Sequence, residues 1–176
     1  MSSQAENQGE FCKSIPEGDP YLVLARWTSG KSGMVISESA PTVIHFAAPP
    51  RFGGAEGSWT PEDLLLGAIA GCYTTTFCAL AEYSKLKYLD LAVEVRGTLC
   101  KADRGYCFGD IAIRPKLTIM DADEQPRTFR LLQKAAAACL VSRLLSVEPL
   151  LEPQVRVLES QCTFAGADKT HSGGTI

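Results

Sequence analysis

Seven cysteines occur in this chain of 176 residues, and two of them differ from the rest in their surroundings. Cys72 follows Gly67, Ala68, Ala70 and Gly71, and Cys139 follows Ala135, Ala136, Ala137 and Ala138. A disulfide needs Cα atoms within about 7 Å, whereas ordinary helix axes pack about 8–10 Å apart. Small residues let two backbones approach closely enough for a bridge, which makes Cys72 and Cys139 a candidate redox pair. The same setting also suits two inert thiols in a core, because free cysteine is among the most buried residue types. Residue types alone leave both readings open.

The remaining cysteines offer less. Cys78 comes six residues after Cys72, about 240° around a helix, so it faces elsewhere. Cys100 and Cys107 flank a hairpin loop with six residues between them, a wider spacing than a zinc knuckle uses. His45 and His171 are the two histidines available to complete a metal site, and Cys12 and Cys162 stand alone. A Cys-His nucleophile lacks a well-placed base, since His45 falls in a strand pattern and His171 in a glycine-rich tail. A Gly-x-Ser-x-Gly elbow, a phosphate loop and a Rossmann glycine fingerprint are all missing. No cofactor and no metal are expected. Near the first cysteine the useful charges are Arg51, in a glycine-rich loop, and Glu62, at a helix start.

The elements that must position these groups follow from composition and pattern. Apolar residues make up 45% and charged residues 21%, with net charge −3 and a pI near 5.4, as in an ordinary globular domain. That balance gives no footprint for nucleic acid or for an anionic membrane surface. One domain is expected over residues 20–164, between a flexible extension (1–19) and a flexible tail (165–176). The start lacks a basic region followed by an apolar core, so no secretory signal is expected and the thiols belong in a reducing cytoplasm. Leu64 to Ala81 forms a run of 18 uncharged residues, but its three threonines, two glycines and acidic flanks favour a core helix over a membrane span.

Three bursts, YLVLARWT, GMVISES and TVIHFAA, read as antiparallel strands. After a loop over Pro49–Ser58, Thr60 as N-cap, Pro61 at the first helical position and the acids Glu62 and Asp63 start a helix that could run to Lys85. LAVEVRGTLC and FGDIAIRPKLTIM form a hairpin, with Pro115 implying an edge position or a bulge. A second helix is expected over Pro126–Ser146, then a last strand over QVRVLESQCTF. The order βββ-α-ββ-α-β indicates an α+β fold.

In this order of elements the chain resembles the OsmC/Ohr family of thiol-dependent peroxidases, and its OsmC-like branch in particular. Arg51-Phe52 in the loop, Pro61-Glu62 opening the helix, Cys72, and Cys139 followed by Val141-Ser142-Arg143-Leu144 carry the resemblance. It implies antiparallel sheets with two central helices in an intertwined homodimer. It also implies that Cys72 is the peroxidatic cysteine, Cys139 the resolving one, Arg51 the support for the thiolate and Glu62 the holder of Arg51. The implied substrate is an organic hydroperoxide and the implied reductant a dithiol, of the lipoyl type, with no nucleic-acid or membrane partner. Where the family often has proline after the second cysteine, this chain has Leu140, which allows the helix to continue.

On one straight helix Glu62 and Cys72 would lie about 15 Å apart and about 80° out of line. A homodimer in which one subunit supplies Arg51 and Glu62 and the other the cysteines removes that difficulty. Leu65, Leu66, Ile69, Tyr73 and Phe77 surround Cys72 in sequence, so an apolar pocket is expected there. The other reading is a non-catalytic binding or redox-sensing protein of the same fold.

Overall fold

Strand-forming bursts broken by turn residues become β1 (Val23–Ser29), β2 (Ser32–Ser37) and β3 (Ala40–Ala47). The computed structural model describes residues 20–103 and 105–158. The expected extension and tail, Cys12, Cys162 and the last strand beyond Leu158 lie outside them. The chain divides into two compact units at residues 63 and 64.

In the first unit β1, β2 and β3 pair antiparallel in that order, with Met34 opposite both Arg26 and His45. Every residue of β1 is exposed, the large apolar Val23, Leu24 and Trp27 among them. The following loop folds back on β3: Ala47 N–H donates to the Trp59 carbonyl at 2.9 Å, and Ala48 N–H to that of Lys31 at 3.0 Å. Gly54 permits this return, because a Cβ there would sit 1.6 Å from the Ala48 carbonyl oxygen. Thr60 then caps the first helix reciprocally with Asp63. The Asp63 N–H donates to Thr60 Oγ1 at 3.1 Å, and the Thr60 N–H to Asp63 Oδ2 at 2.9 Å.

That helix is α1 (Pro61–Tyr83). The second unit continues with β4 (Asp90–Ala102), β5 (Gly105–Ile119), α2 (Gln125–Ala138), β6 (Leu150–Leu151) and β7 (Gln154–Val157). β4 and β5 form a long antiparallel hairpin, and the short β6 and β7 pair parallel with the other side of β5. The core joins a four-residue periodic stripe of α1 (Ile69, Tyr73, Phe77, Ala81) to one face of β5 and to Leu132 and Ala135 of α2. Each fully buried large aliphatic side chain contributes about 1.5–3 kcal/mol. The antiparallel sheets and two helices are as the sequence implied.

α1 is long and apolar enough to cross a membrane by length and composition, and its Ile69, Tyr73, Phe77 and Ala81 stripe lies in the core, as expected of a core helix. Two expectations need correction. Pro115 is neither at an edge nor in a bulge: it faces Val93 on β4 and, on its other side, the break between the partners of β6 and β7. No ladder donor is required at that break, so a central strand accommodates proline. The bulge falls instead between Thr98 and Leu99. Lastly, α2 stops at Ala138 and does not run to Ser146. Cys139 turns extended (φ −64°, ψ 112°), and residues Ser142–Leu144 form a single 3-10 turn. Val141 and Leu145 pack against the core from this turned segment, outweighing helix propensities that differ by less than about 1 kcal/mol per residue.

Candidate active site

Cys72 sits in the middle of α1 and is half-buried, whereas Cys139 at the end of α2 is fully buried. The two helices are tied beside them by the buried Tyr73 hydroxyl, which donates to the Leu132 carbonyl at 3.0 Å. Burial pushes the Tyr73 phenol far up, so it stays protonated and keeps donating. Where α2 ends, the chain turns across α1. The backbone N–H groups of Val141 and Leu140, the Cys139 thiol and the Thr76 hydroxyl all hydrogen-bond to the Cys72 sulfur. Cys72 and Cys139 are therefore neighbours, and both are free thiols.

Their electrostatics differ in sign. Burial raises the Cys72 thiol, but the four hydrogen bonds together outweigh it and hold the thiol below its ordinary value. At Cys139 burial dominates and raises the thiol; the nearby Cys72 adds to this, while Ser142 opposes it by donating its hydroxyl to Cys139 Sγ at 3.1 Å. The Cys72 thiol is thus the more acidic of the two, and Cys139 the less.

The other two expected residues belong to the first unit. Arg51 lies exposed in a 3-10 turn (Pro50–Phe52), its guanidinium 4.9 Å from the Phe52 ring centre. Glu62 is half-buried in the first turn of α1. Its Oε2 is closed to solvent and has no hydrogen-bond partner among the described residues. An oxygen in that state costs about 1–3 kcal/mol or more until a donor reaches it.

A helix-borne thiol of lowered pKa thus stands beside a second thiol at a helix end. The model of the OsmC-like protein family matches residues 53–152, which contain Glu62, Cys72 and Cys139. This chain belongs to the OsmC-like family. It is 28% identical over 142 residues to YmaD, an uncharacterised protein of Bacillus subtilis, covering 78% of this chain and 95% of that one. It is 28% identical over 107 residues to the peroxiredoxin OsmC of Escherichia coli, covering 60% and 73%. An OsmC-like protein of unknown function from Vibrio cholerae shares the fold at TM-score 0.68 and 14% identity, over 77% of this chain and 99% of that one. So does an organic hydroperoxide resistance protein OsmC from Legionella pneumophila, at 0.63 and 21%, over 80% and 100%.

Within this OsmC-like site, sequence reasoning named Val141 and Ser142 only as part of a motif and missed Thr76. Thr76 stands one helical turn after Cys72, and that spacing could have revealed it. The N–H groups of Leu140 and Val141 carry no such signal, because they depend on where α2 stops. The expected apolar pocket is also revised. Ile69, Tyr73 and Phe77 are fully buried in the core and cannot line it, which leaves the half-buried Leu65 and Leu66. A cavity of about 810 Å³ opens instead at the end of α2, lined by Ala136, Ala137, Ser142, Arg143, Leu145 and Leu151 among others.

Proposed function

We propose that this OsmC-like protein is a thiol-dependent peroxidase that reduces organic hydroperoxides with Cys72 as nucleophile and Cys139 as resolving thiol. The opposite displacement of the two neighbouring thiols carries this reading. The Cys72 thiolate attacks the outer peroxide oxygen, the O–O bond breaks, and the departing alkoxide takes a proton to leave as an alcohol. Cys72 is then a sulfenic acid, and the Cys139 thiol condenses with it to form a disulfide and water. A dithiol reductant, of the lipoyl type, restores both thiols by exchange. The hydrogen bonds around Cys72 favour its thiolate form, and a guanidinium beside the oxygen would stabilise the developing alkoxide.

Arg51 is assigned that role, with Glu62 as its anchor, in a homodimer where one subunit's loop meets the other's cysteines. The unpaired Glu62 Oε2 supports a guanidinium partner. Exposed Val23, Leu24, Trp27, Val43 and Ile44 on the three-stranded sheet, and the unburied surface of the apolar α1, support a second copy as their cover. We assign the protein to the cytoplasm, without nucleic-acid or membrane partners, a reading that its charge balance and family support. Dithiol-coupled peroxide consumption tests the proposal: cumene hydroperoxide should be turned over by the wild type and not by Cys72→Ser.

A further inference from the structure

The β4–β5 hairpin carries a second pair of sulfurs that this chemistry does not use. Its register places Cys100 directly opposite Cys107, two residue pairs from the Ala102–Gly105 end. Residues directly opposed on antiparallel strands share a face and hold their Cα atoms about 4.5–5.5 Å apart. A disulfide accepts about 4.4–6.8 Å. Both thiols are free and exposed, and neither belongs to the core. The bulge leaves Gly109 on β5 without a partner on β4, and the Cys100 sulfur lies 2.0 Å from where a Cβ on that glycine would be. Any larger residue there would evict the sulfur. With glycine there, the Cys100 sulfur rests over Gly109 and donates to the Thr98 carbonyl at 4.0 Å, a long contact that a rotation about its Cα–Cβ bond towards Cys107 would give up.

We propose that Cys100 and Cys107 form a surface dithiol–disulfide couple that exchanges with small disulfides of the glutathione-disulfide class. One cysteine thiolate attacks a sulfur of the small disulfide, breaking its S–S bond and releasing one small thiolate. The resulting mixed disulfide is attacked, at the protein sulfur, by the opposed cysteine. The Cys100–Cys107 bond forms, and the second small thiolate leaves. The two cysteines together lose two protons and two electrons, and the small disulfide becomes two thiols. The hairpin holds the second thiol against the first, so the closing step is intramolecular and outruns a second external exchange. This couple stands apart from the peroxidase reading and survives its failure.

The test uses the full chain in a glutathione–glutathione disulfide buffer, with non-reducing tryptic mapping; Lys101 and Arg104 separate the two cysteines into different peptides. The wild type should yield these peptides joined and free of glutathione. Cys100→Ser and Cys107→Ser should each stop at a stable glutathione adduct on the remaining thiol. The adduct's half-life should be at least tenfold shorter in the wild type than in either variant. Glutathione on both cysteines of the wild type, equal adduct lifetimes, or two thiols still alkylatable at high glutathione disulfide would each overturn the couple. Tryptic mapping of the wild type needs no substitution, so a variant that misfolds leaves the outcome decided.

Discussion

Cys72 and Cys139 come from two helices far apart in sequence, while Cys100 and Cys107 face each other on adjacent strands of one hairpin. The helical pair is unequal: one sulfur is half-buried and ringed by donors, the other fully buried with the Ser142 hydroxyl on it. Both residues of the strand pair are exposed, the Cys100 sulfur over Gly109 and near the Thr98 carbonyl. In the proposed mechanism unequal surroundings assign an order of events, with the lower thiol attacking and the higher one waiting as an acid. Shared exposure assigns none, which fits a couple that only opens and closes. On the two proposals, proximity makes a pair of thiols redox-active, whereas the hydrogen bonds and burial around each sulfur decide which moves first.

The largest expected effect separates the two pairs outright. Cys72→Ser should abolish dithiol-coupled consumption of an alkyl hydroperoxide, because no other thiol among the described residues shares its donors. Arg51→Ala should leave the circular-dichroism spectrum unchanged and slow the peroxide reaction at least tenfold near pH 7, and Arg51→Lys should recover part of that loss, because lysine lacks the planar fork. Unchanged kinetics in Arg51→Ala would remove the guanidinium from the mechanism.

A smaller effect is expected from Leu140→Pro, which removes one N–H donor to Cys72. Cys139 already has the extended conformation that precedes proline, and the Leu140 side chain is 65% exposed, so the fold should tolerate the change. Hydrogen bonds to charged groups are worth about 1.5–3 kcal/mol, and at the lower end of that range the loss of one should shift reactivity by about tenfold. The pH dependence of iodoacetamide alkylation reads this. In the wild type Cys72 should become reactive below the pH of an ordinary thiol and Cys139 above it. In Leu140→Pro the Cys72 profile should move to higher pH, towards that of an ordinary thiol. Smallest of all, Cys100→Ser should leave peroxide turnover within twofold of wild type, and a large loss there would join the two pairs into one pathway.

Much of this arrangement is legible in the residues. Thr60, Pro61 and Asp63 mark the start of α1 because capping is local chemistry, and the strand bursts mark β1 to β5 because turns interrupt them. The small residues before Cys72 and Cys139 point to a close approach, and the structure makes the two sulfurs neighbours. The end of α2 is not legible: an alanine run followed by Leu140 favours continued helix, and only tertiary packing of Val141 and Leu145 turns the chain. The Leu140 and Val141 donors at Cys72 follow from that turn, so they were hidden with it. Pro115 misleads for a similar reason, since a break between two short partner strands is set by the sheet and not by β5 itself.

The central claim is that Cys72 attacks and Cys139 resolves, and the most direct measurement is mass spectrometry of the wild type after one equivalent of organic hydroperoxide. The account predicts a Cys72–Cys139 disulfide, with Cys139→Ser instead accumulating sulfenic and then sulfinic acid at Cys72. Sulfinic acid at Cys72 in the wild type, at the rate seen in Cys139→Ser, would contradict it.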